Sequence, residues 1–134
     1  MSLDIGYGDV GASRARRGQR NHLAGSSAEE AVERHYLEAG HVALARRWRG
    51  KGGEIDLVFG DGFGGFVFVE VKTARDFDSA LARITPRQVA RIHRAAEEFL
   101  ADCPAGRDSD TRFDAALVDG RGRIEIMEGA LLGY

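Results

Sequence analysis

The sequence has a single cysteine, Cys103, and two prolines among its 134 residues. One cysteine excludes an intrachain disulfide, a cysteine-ligated zinc site and a CxxC redox pair. The four histidines show neither HExxH nor HxxxH spacing, so a histidine-ligated metal has little support. The longest strongly apolar run covers residues 66–69, far below the roughly 18 residues of a membrane helix. The sequence therefore predicts no membrane-spanning segment.

The beginning of the chain also lacks the pattern of a secretory signal. It carries Asp4 and Asp9, then four arginines within residues 14–20, with no apolar segment between them. We therefore expect a cytoplasmic protein. Residues 1–25 are rich in Gly, Ser and Arg without an apolar period, which predicts a flexible arm. Residues 26–134 are expected to form a single domain.

Lysine is scarce. The chain has 19 basic and 21 acidic residues, and only Lys51 and Lys72 among the basic ones are lysine. The net charge of −2 hides two basic strips, at residues 41–53 and 72–94. Each strip is interpreted either as a surface that tracks phosphate groups or as a solvated face.

Two helices have clear sequence signals. The first is predicted to begin after Ser27, where Ser27 and Glu30 form a capping-box pattern, and to end before Gly40. The second is predicted to begin with Thr85 as N-cap and Pro86 at its first position. Between and after the helices the apolar period changes to two, which predicts strands over residues 41–48, 54–59, 66–73, 113–118 and 123–127. The predicted element order is α-β-β-β-α-β-β.

Two of these strands carry a group of ionisable residues. Glu70 and Lys72 lie two positions apart, so they share one face of their strand. Asp56 lies on the preceding strand between Ile55 and Leu57, and it is expected to face away from both. Burying such groups costs several kcal/mol unless they pair or bind a cation.

The pattern favours metal-assisted hydrolysis of a phosphodiester. Mg²⁺ takes oxygen ligands, which Asp56 and Glu70 offer, together with water and phosphate oxygens. Lys72 can orient or deprotonate the attacking water, which a guanidinium does poorly because its pKa is too high. The alternative is structural, because a Glu-x-Lys pair opposite an Asp is also a routine decoration of an exposed sheet face.

The same residues carry a resemblance to a known class. Asp56 followed by Glu70-x-Lys72 resembles the PD-(D/E)XK signature of restriction-endonuclease-like nucleases, which share the predicted order of the core elements. The segments GEIDLVF, VFVEVKTAR, ITPRQVARI and RFDAALVD are similar to those of the YraN-like family of small bacterial proteins. The resemblance implies a restriction-endonuclease-like α/β fold, a mixed central sheet flanked by helices. It also implies a Mg²⁺ site, with Mn²⁺ as a substitute, in which Asp56 and Glu70 are ligands and Lys72 is the catalytic base.

The resemblance further implies an acid from the first helix. Glu30 occupies the matching place, with Glu29 and Glu33 as alternatives, and Glu30 has helix capping as its other interpretation. Gln88 falls where relatives often carry lysine, and it forms a second capping-box pattern with Thr85. A cap is the favoured role for Gln88, with phosphate contact as the alternative.

The expected function is that of a Mg²⁺-dependent nuclease acting on DNA. The alternative is a nucleic-acid-binding module that keeps the fold without turnover. A homodimer is one expected arrangement, because nucleases of this class often pair subunits to cut two strands. The candidates for phosphate contact, besides Gln88, are Arg75, Arg87, Arg91 and Arg94.

Overall fold

The computed structural model describes residues 16–104 and 106–132, with side chains from residue 27 onward except at residue 107. Its helices and strands alternate in the order α-β-β-β-α-α-β-β, with a short 3₁₀ turn at Gly106–Asp108 before the fourth strand. The elements are α1 (Arg16–Glu38), β1 (Val42–Arg49), β2 (Glu54–Gly60), β3 (Phe66–Thr73), α2 (Phe77–Ala82), α3 (Pro86–Ala101), β4 (Thr111–Val118) and β5 (Ile124–Met127).

The five strands form one sheet in the order β1-β2-β3-β4-β5. The β3–β4 pair is parallel and the other pairs are antiparallel, so the sheet is mixed. The predicted α/β class, a mixed central sheet flanked by helices, is confirmed. Among the described residues, no helix is both long and apolar enough to cross a membrane.

The helices cover the sheet with separate apolar clusters. Helix α1 contributes Val32 and Tyr36, which pack with Phe59 and Val69. Helix α3 contributes residues such as Ala96 to a second cluster, together with neighbouring strand residues that point away from α1. Because successive strand residues point to opposite faces, the sequence alternation itself separates the two clusters.

Helix α1 is longer than predicted. It begins at Arg16, so the predicted start after Ser27 is wrong and Ser27 lies inside the helix. Within a helix the amide of Glu30 bonds to a backbone carbonyl one turn earlier, and a side-chain cap is not needed there. Residues 16–25 of the predicted arm therefore belong to α1, whereas its residues 1–15 lie outside the described part of the chain. The end of the helix is as predicted, because Gly40 has a left-handed φ of +99°.

Helix α2 was not predicted. Asp76 caps it by accepting a 2.7 Å hydrogen bond from the amide of Ser79. With six residues, the helix is too short to display an apolar period in the sequence. It connects β3 to α3 and packs on β4 through the buried Ala80.

The alternation of β2 breaks at Asp56. Ile55 packs in the cluster beneath α3, whereas Leu57 packs in the cluster beneath α1. The prediction that Ile55 and Leu57 share a face is therefore wrong. The neighbouring strand β1 is irregular as well, because its register with β2 shifts between Ala43 and Ala45 and Arg47 has a left-handed φ of +48°. Such irregularities increase the local twist and redirect the side chains.

Candidate active site

The candidate site lies where β2 and β3 cease to pair. Their register runs from Gly60 opposite Phe66 to Leu57 opposite Val69. Two residues beyond Val69 on β3, the amide of Val71 donates a 2.8 Å hydrogen bond to Oδ2 of Asp56. The side chain of Asp56 thus replaces a backbone carbonyl as the acceptor. This bond holds the Asp56 carboxylate against β3. Its donor, Val71, directly follows Glu70 in that strand.

A cleft of about 270 Å³ opens at this point between the sheet and α3. It brings together four of the predicted site residues, two acidic ones from the sheet and two polar ones from α3. The residues lining the cleft are Gly53, Glu54, Asp56, Glu70, Gln88, Arg91 and Ile92.

The two sheet carboxylates crowd each other. Burial raises the pKa of Asp56 well above its ordinary value, and the negative charge of Glu70 raises it further. The hydrogen bond from the Val71 amide lowers this pKa in part. The two carboxylates are thus partly shielded from solvent, and they repel each other when both are ionised. A cation between them would relieve both costs.

Lys72 reaches the site through Glu70. Its Nζ lies 3.0 Å from Oε2 of Glu70, and both side chains are largely buried, with 20% and 11% of their surfaces exposed. The prediction that Glu70 and Lys72 lie side by side on one strand face is confirmed. An ammonium group at this position partly compensates the charge of the carboxylate pair.

The donor set fits a hard divalent cation. Mg²⁺ is usually bound by one or two carboxylates and completes its shell with water and substrate phosphate. Asp56 and Glu70 supply that number of carboxylates in the same cleft. Among the side chains that the structure describes, no group of three or more His, Cys, Asp or Glu residues could hold a metal. Carboxylate oxygens are the donors that Mg²⁺ and Mn²⁺ prefer, whereas structural zinc sites mostly use cysteine and histidine.

The acids of α1 differ in their relation to the cleft. Glu30 is exposed and lies apart from the residues that line it. Glu29 is partly buried, accepts a 3.0 Å bond from Nε of Arg47, and its charge also raises the pKa of Asp56. Glu33 is buried and forms a two-pronged ion pair with Arg46 at 2.6 and 2.8 Å. Glu29 is thus the α1 acid whose charge acts on the carboxylate pair.

The predicted phosphate contacts fall in two groups. Arg91 lines the cleft, and Arg87 and Arg94 are exposed on the same helix. Arg75 lies apart, after β3, with 90% of its side chain exposed and its Nε 3.5 Å from Oδ2 of Asp76.

Gln88 has the capping role that the sequence favours for it. Its amide donates to Oγ1 of Thr85, and the Thr85 amide donates to Oε1 of Gln88, both at 3.2 Å. The predicted capping box is therefore confirmed. Gln88 also lines the cleft, where a phosphate could approach its side chain.

Two acids that matter to the structure were missed by sequence reasoning. Asp114 is fully buried on β4 and accepts bonds from the hydroxyl of Tyr36, the guanidinium of Arg112 and the amide of Gly129. The one signal in the sequence is an acid within the apolar segment RFDAALV. Glu98, on α3, binds the loop that precedes β2. Nothing in the local sequence marks that contact.

The fold and the cleft define a mixed α/β protein with a carboxylate pair at the opening between two sheet strands. The chain belongs to the family described as Uncharacterised protein family UPF0102, which it matches over residues 28–118. The resemblance to the YraN-like family is thereby confirmed.

Several bacterial relatives are similar over nearly their whole length. A UPF0102 protein of Ruegeria pomeroyi is 53% identical over 116 residues, covering 87% of this chain and 94% of the relative. A UPF0102 protein of Cereibacter sphaeroides is 52% identical over 113 residues, covering 84% and 96%. One of Roseobacter denitrificans is 48% identical over 119 residues, covering 89% and 92%.

Proposed function

We propose that this protein is a Mg²⁺-dependent nuclease that hydrolyses phosphodiester bonds in DNA. The observation that carries the proposal is the cleft in which Asp56 and Glu70 lie together with Arg91. Carboxylates for a cation and a guanidinium for a phosphate are the two requirements of metal-assisted phosphodiester hydrolysis.

Each residue has a role that follows from its position. Asp56 and Glu70 would hold the cation, which polarises the phosphoryl oxygen and lowers the pKa of bound water. Lys72, beside Glu70, would orient the attacking water, and once it has released its own proton to solvent it would accept the proton of that water. Arg91 and Gln88, on the opposite wall of the cleft, would hold the phosphate group.

One acid of α1, Glu29, would contribute to the site through its charge. Glu29 adds negative charge near Asp56 and is itself held by Arg47. It is therefore the α1 acid that we assign to the site, in place of Glu30. Its role would be to strengthen the attraction of the carboxylate pair for a divalent cation, because a third negative charge nearby makes the site more favourable for a cation.

The experiment is a cleavage assay with the full chain. Duplex, single-stranded and branched DNA would be incubated with Mg²⁺ or Mn²⁺, using wild-type protein, Glu70→Gln and the control Glu125→Gln. Glu125 is an exposed residue of β5, so its substitution should leave cleavage unchanged. Cleavage that needs the metal and is lost only in Glu70→Gln supports the proposal. If none of the substrates is cut, or if Glu70→Gln cuts like the wild type, the nuclease proposal is wrong.

The second candidate is a nucleic-acid-binding module without turnover. The exposed arginines of α3, Arg87, Arg91 and Arg94, favour it, because phosphate contact by arginine requires no metal. Salt-dependent DNA binding that survives both EDTA and Glu70→Gln, without cleavage, would support this candidate. The homodimer and the cytoplasmic location stay predictions.

A further inference from the structure

The loop between β1 and β2, residues 50–53, is fastened to α3 by one carboxylate. Oε2 of Glu98 accepts a 3.1 Å hydrogen bond from the amide of Lys51, and Oε1 accepts a 3.1 Å bond from the amide of Gly52. Within the loop, the amide of Gly50 donates to the carbonyl of Gly53 at 2.9 Å. The loop is thus a tight turn whose outward amides are both bound by Glu98.

The glycines of this loop permit its close approach to α3. A Cβ atom on Gly52 would lie 3.1 Å from Cβ of Arg94, and one on Gly53 would lie 3.1 Å from the carbonyl oxygen of Arg91. Both distances are tighter than ordinary van der Waals contact. Gly53 also has a φ of +156°, at the edge of the region that favours glycine. The loop therefore lies directly on the helix that forms the opposite wall of the cleft.

The first residues of β2 need this support more than the rest of the strand. On one side they pair with the edge strand β1, at Trp48–Ile55 and Arg49–Glu54. On the other side the ladder to β3 has ended, and the Asp56 side chain takes the Val71 amide instead. The position of this segment relative to α3 consequently depends on the loop that leads into it.

We propose that Glu98 is a positioning residue for the candidate active site. By holding the 50–53 loop on α3, it sets the width of the cleft between Asp56 on β2 and Arg91 on α3. Glu98 does not itself line the cleft, so its effect is transmitted through the loop. The expected effect of Glu98 on cation binding rests on the proposed function, whereas its expected effect on the loop and on Asp56 rests on the fold alone.

Two variants of the full chain test this inference. Glu98→Gln keeps the shape of the side chain but offers one acceptor oxygen to two amides, and its own NH₂ group opposes the second amide. Gly52→Ala leaves Glu98 intact and pushes the loop away from Arg94. Glu97→Gln is the matched control, because Glu97 is the exposed neighbour of Glu98 on the same helix.

Two measurements are made on each protein. Amide hydrogen exchange by NMR follows Lys51 and Gly52, which report the loop, and Val71, which reports the Asp56 hydrogen bond in metal-free protein. Titration with Mn²⁺ gives the dissociation constant of the carboxylate pair. Denaturation curves verify that each variant is folded at the temperature used.

In both Glu98→Gln and Gly52→Ala we expect the exchange of Lys51, Gly52 and Val71 to accelerate. We also expect Mn²⁺ affinity to fall about tenfold, the effect of losing one charge-assisted hydrogen bond. Glu97→Gln should match the wild type in both measurements.

Faster exchange confined to Lys51 and Gly52, with Val71 unchanged, would overturn the proposal, because Glu98 would then act on the loop alone. If the wild type binds no Mn²⁺, the proposed function fails, and the exchange of Val71 alone decides the role of Glu98. A folded Glu98→Gln variant in which Val71 exchanges as in the wild type contradicts the positioning role of Glu98, whether or not the wild type binds Mn²⁺.

Discussion

The ammonium of Lys72 lies 3.0 Å from the carboxylate of Glu70, two residues earlier on the same strand. The pair is mostly shielded from water, and Glu70 lines the cleft, whereas Lys72 contacts Glu70 without lining it. Lys72 brings two properties to this position, a positive charge and the ability to exchange a proton. Substitution of Lys72 can test which of them the site requires.

Lys72→Arg keeps the positive charge, whereas Lys72→Met removes it. If Lys72 accepts a proton from water, we expect both variants to lower kcat for DNA cleavage by a factor of about 10² or more. Lys72→Met should bind Mn²⁺ at least as tightly as the wild type, because Glu70 loses a competing cation. Wild-type turnover by Lys72→Arg would show that charge alone suffices.

Asp56→Asn tests the electrostatic cost of the carboxylate pair. Because the pKa of Asp56 is raised in the folded protein, the folded state holds that proton more tightly than the unfolded state. The resulting stability is complete below the unfolded pKa of about 3.9 and is lost as the pH rises through the raised value. In Asp56→Asn the side chain cannot ionise, so the variant does not lose this stability as the pH rises. Its side-chain oxygen can still accept the hydrogen bond from the Val71 amide.

In EDTA, we therefore expect Asp56→Asn to be more stable than the wild type at neutral pH, with a difference that shrinks as the pH falls towards about 4. Added Mn²⁺ should stabilise the wild type and leave the variant unchanged. Urea denaturation at a series of pH values measures both effects. A stability difference that stays constant with pH would contradict the raised pKa of Asp56.

Arg91→Ala tests the phosphate contact in the cleft. Removing one phosphate contact should weaken DNA binding at every sequence and reduce the slope of log K against log salt by about 1. The control is Arg34→Ala, since Arg34 is an exposed cation of α1 that lines a different cleft. Binding measured by fluorescence anisotropy over a range of salt concentrations compares the two. Equal slopes for Arg91→Ala and the wild type would exclude Arg91 from the DNA interface.

Tyr36→Phe tests the buried contact between α1 and β4. The hydroxyl of Tyr36 donates a 2.7 Å bond to Oδ2 of Asp114, whose carboxylate is fully buried. Its removal should lower the free energy of unfolding by about 1–2 kcal/mol. Ser109→Ala is the control, because Oγ of Ser109 is buried without a hydrogen-bond partner among the described residues. We expect that substitution not to destabilise the protein in urea denaturation, and equal losses in both variants would contradict the assigned role of Tyr36.

The sheet was largely predictable from the sequence. Short runs of apolar residues place β2 and β3 within one residue of their observed bounds, because both faces of these central strands are buried. The start of α1 was not predictable, since a Ser-x-x-Glu pattern caps a helix only when the chain before it leaves the helical conformation. Strand parity also placed Glu70 and Lys72 together correctly, whereas it failed at Ile55 and Leu57. The change of face between Ile55 and Leu57, like the left-handed conformation of Arg47 on the neighbouring strand, has no marker in the sequence.

The support of the candidate site was less accessible to sequence reasoning. Glu98 binds an amide 47 positions away, and Tyr36 reaches Asp114 across 78 positions. Contacts of this separation depend on how helices pack on the sheet, which local patterns do not specify. The sequence could propose Gln88 and Arg91, which line the cleft, because they lie on the polar side of a helix with a clear start, which is a local property.

The irregular backbone of β1 also affects how the sheet edge meets other molecules. A regular edge strand offers a row of free amide and carbonyl groups that can template the addition of another chain. In β1 the register shift between Ala43 and Ala45 and the left-handed Arg47 interrupt that row twice within five residues. The irregular backbone of β1 therefore makes this edge a poor template for aggregation by strand addition.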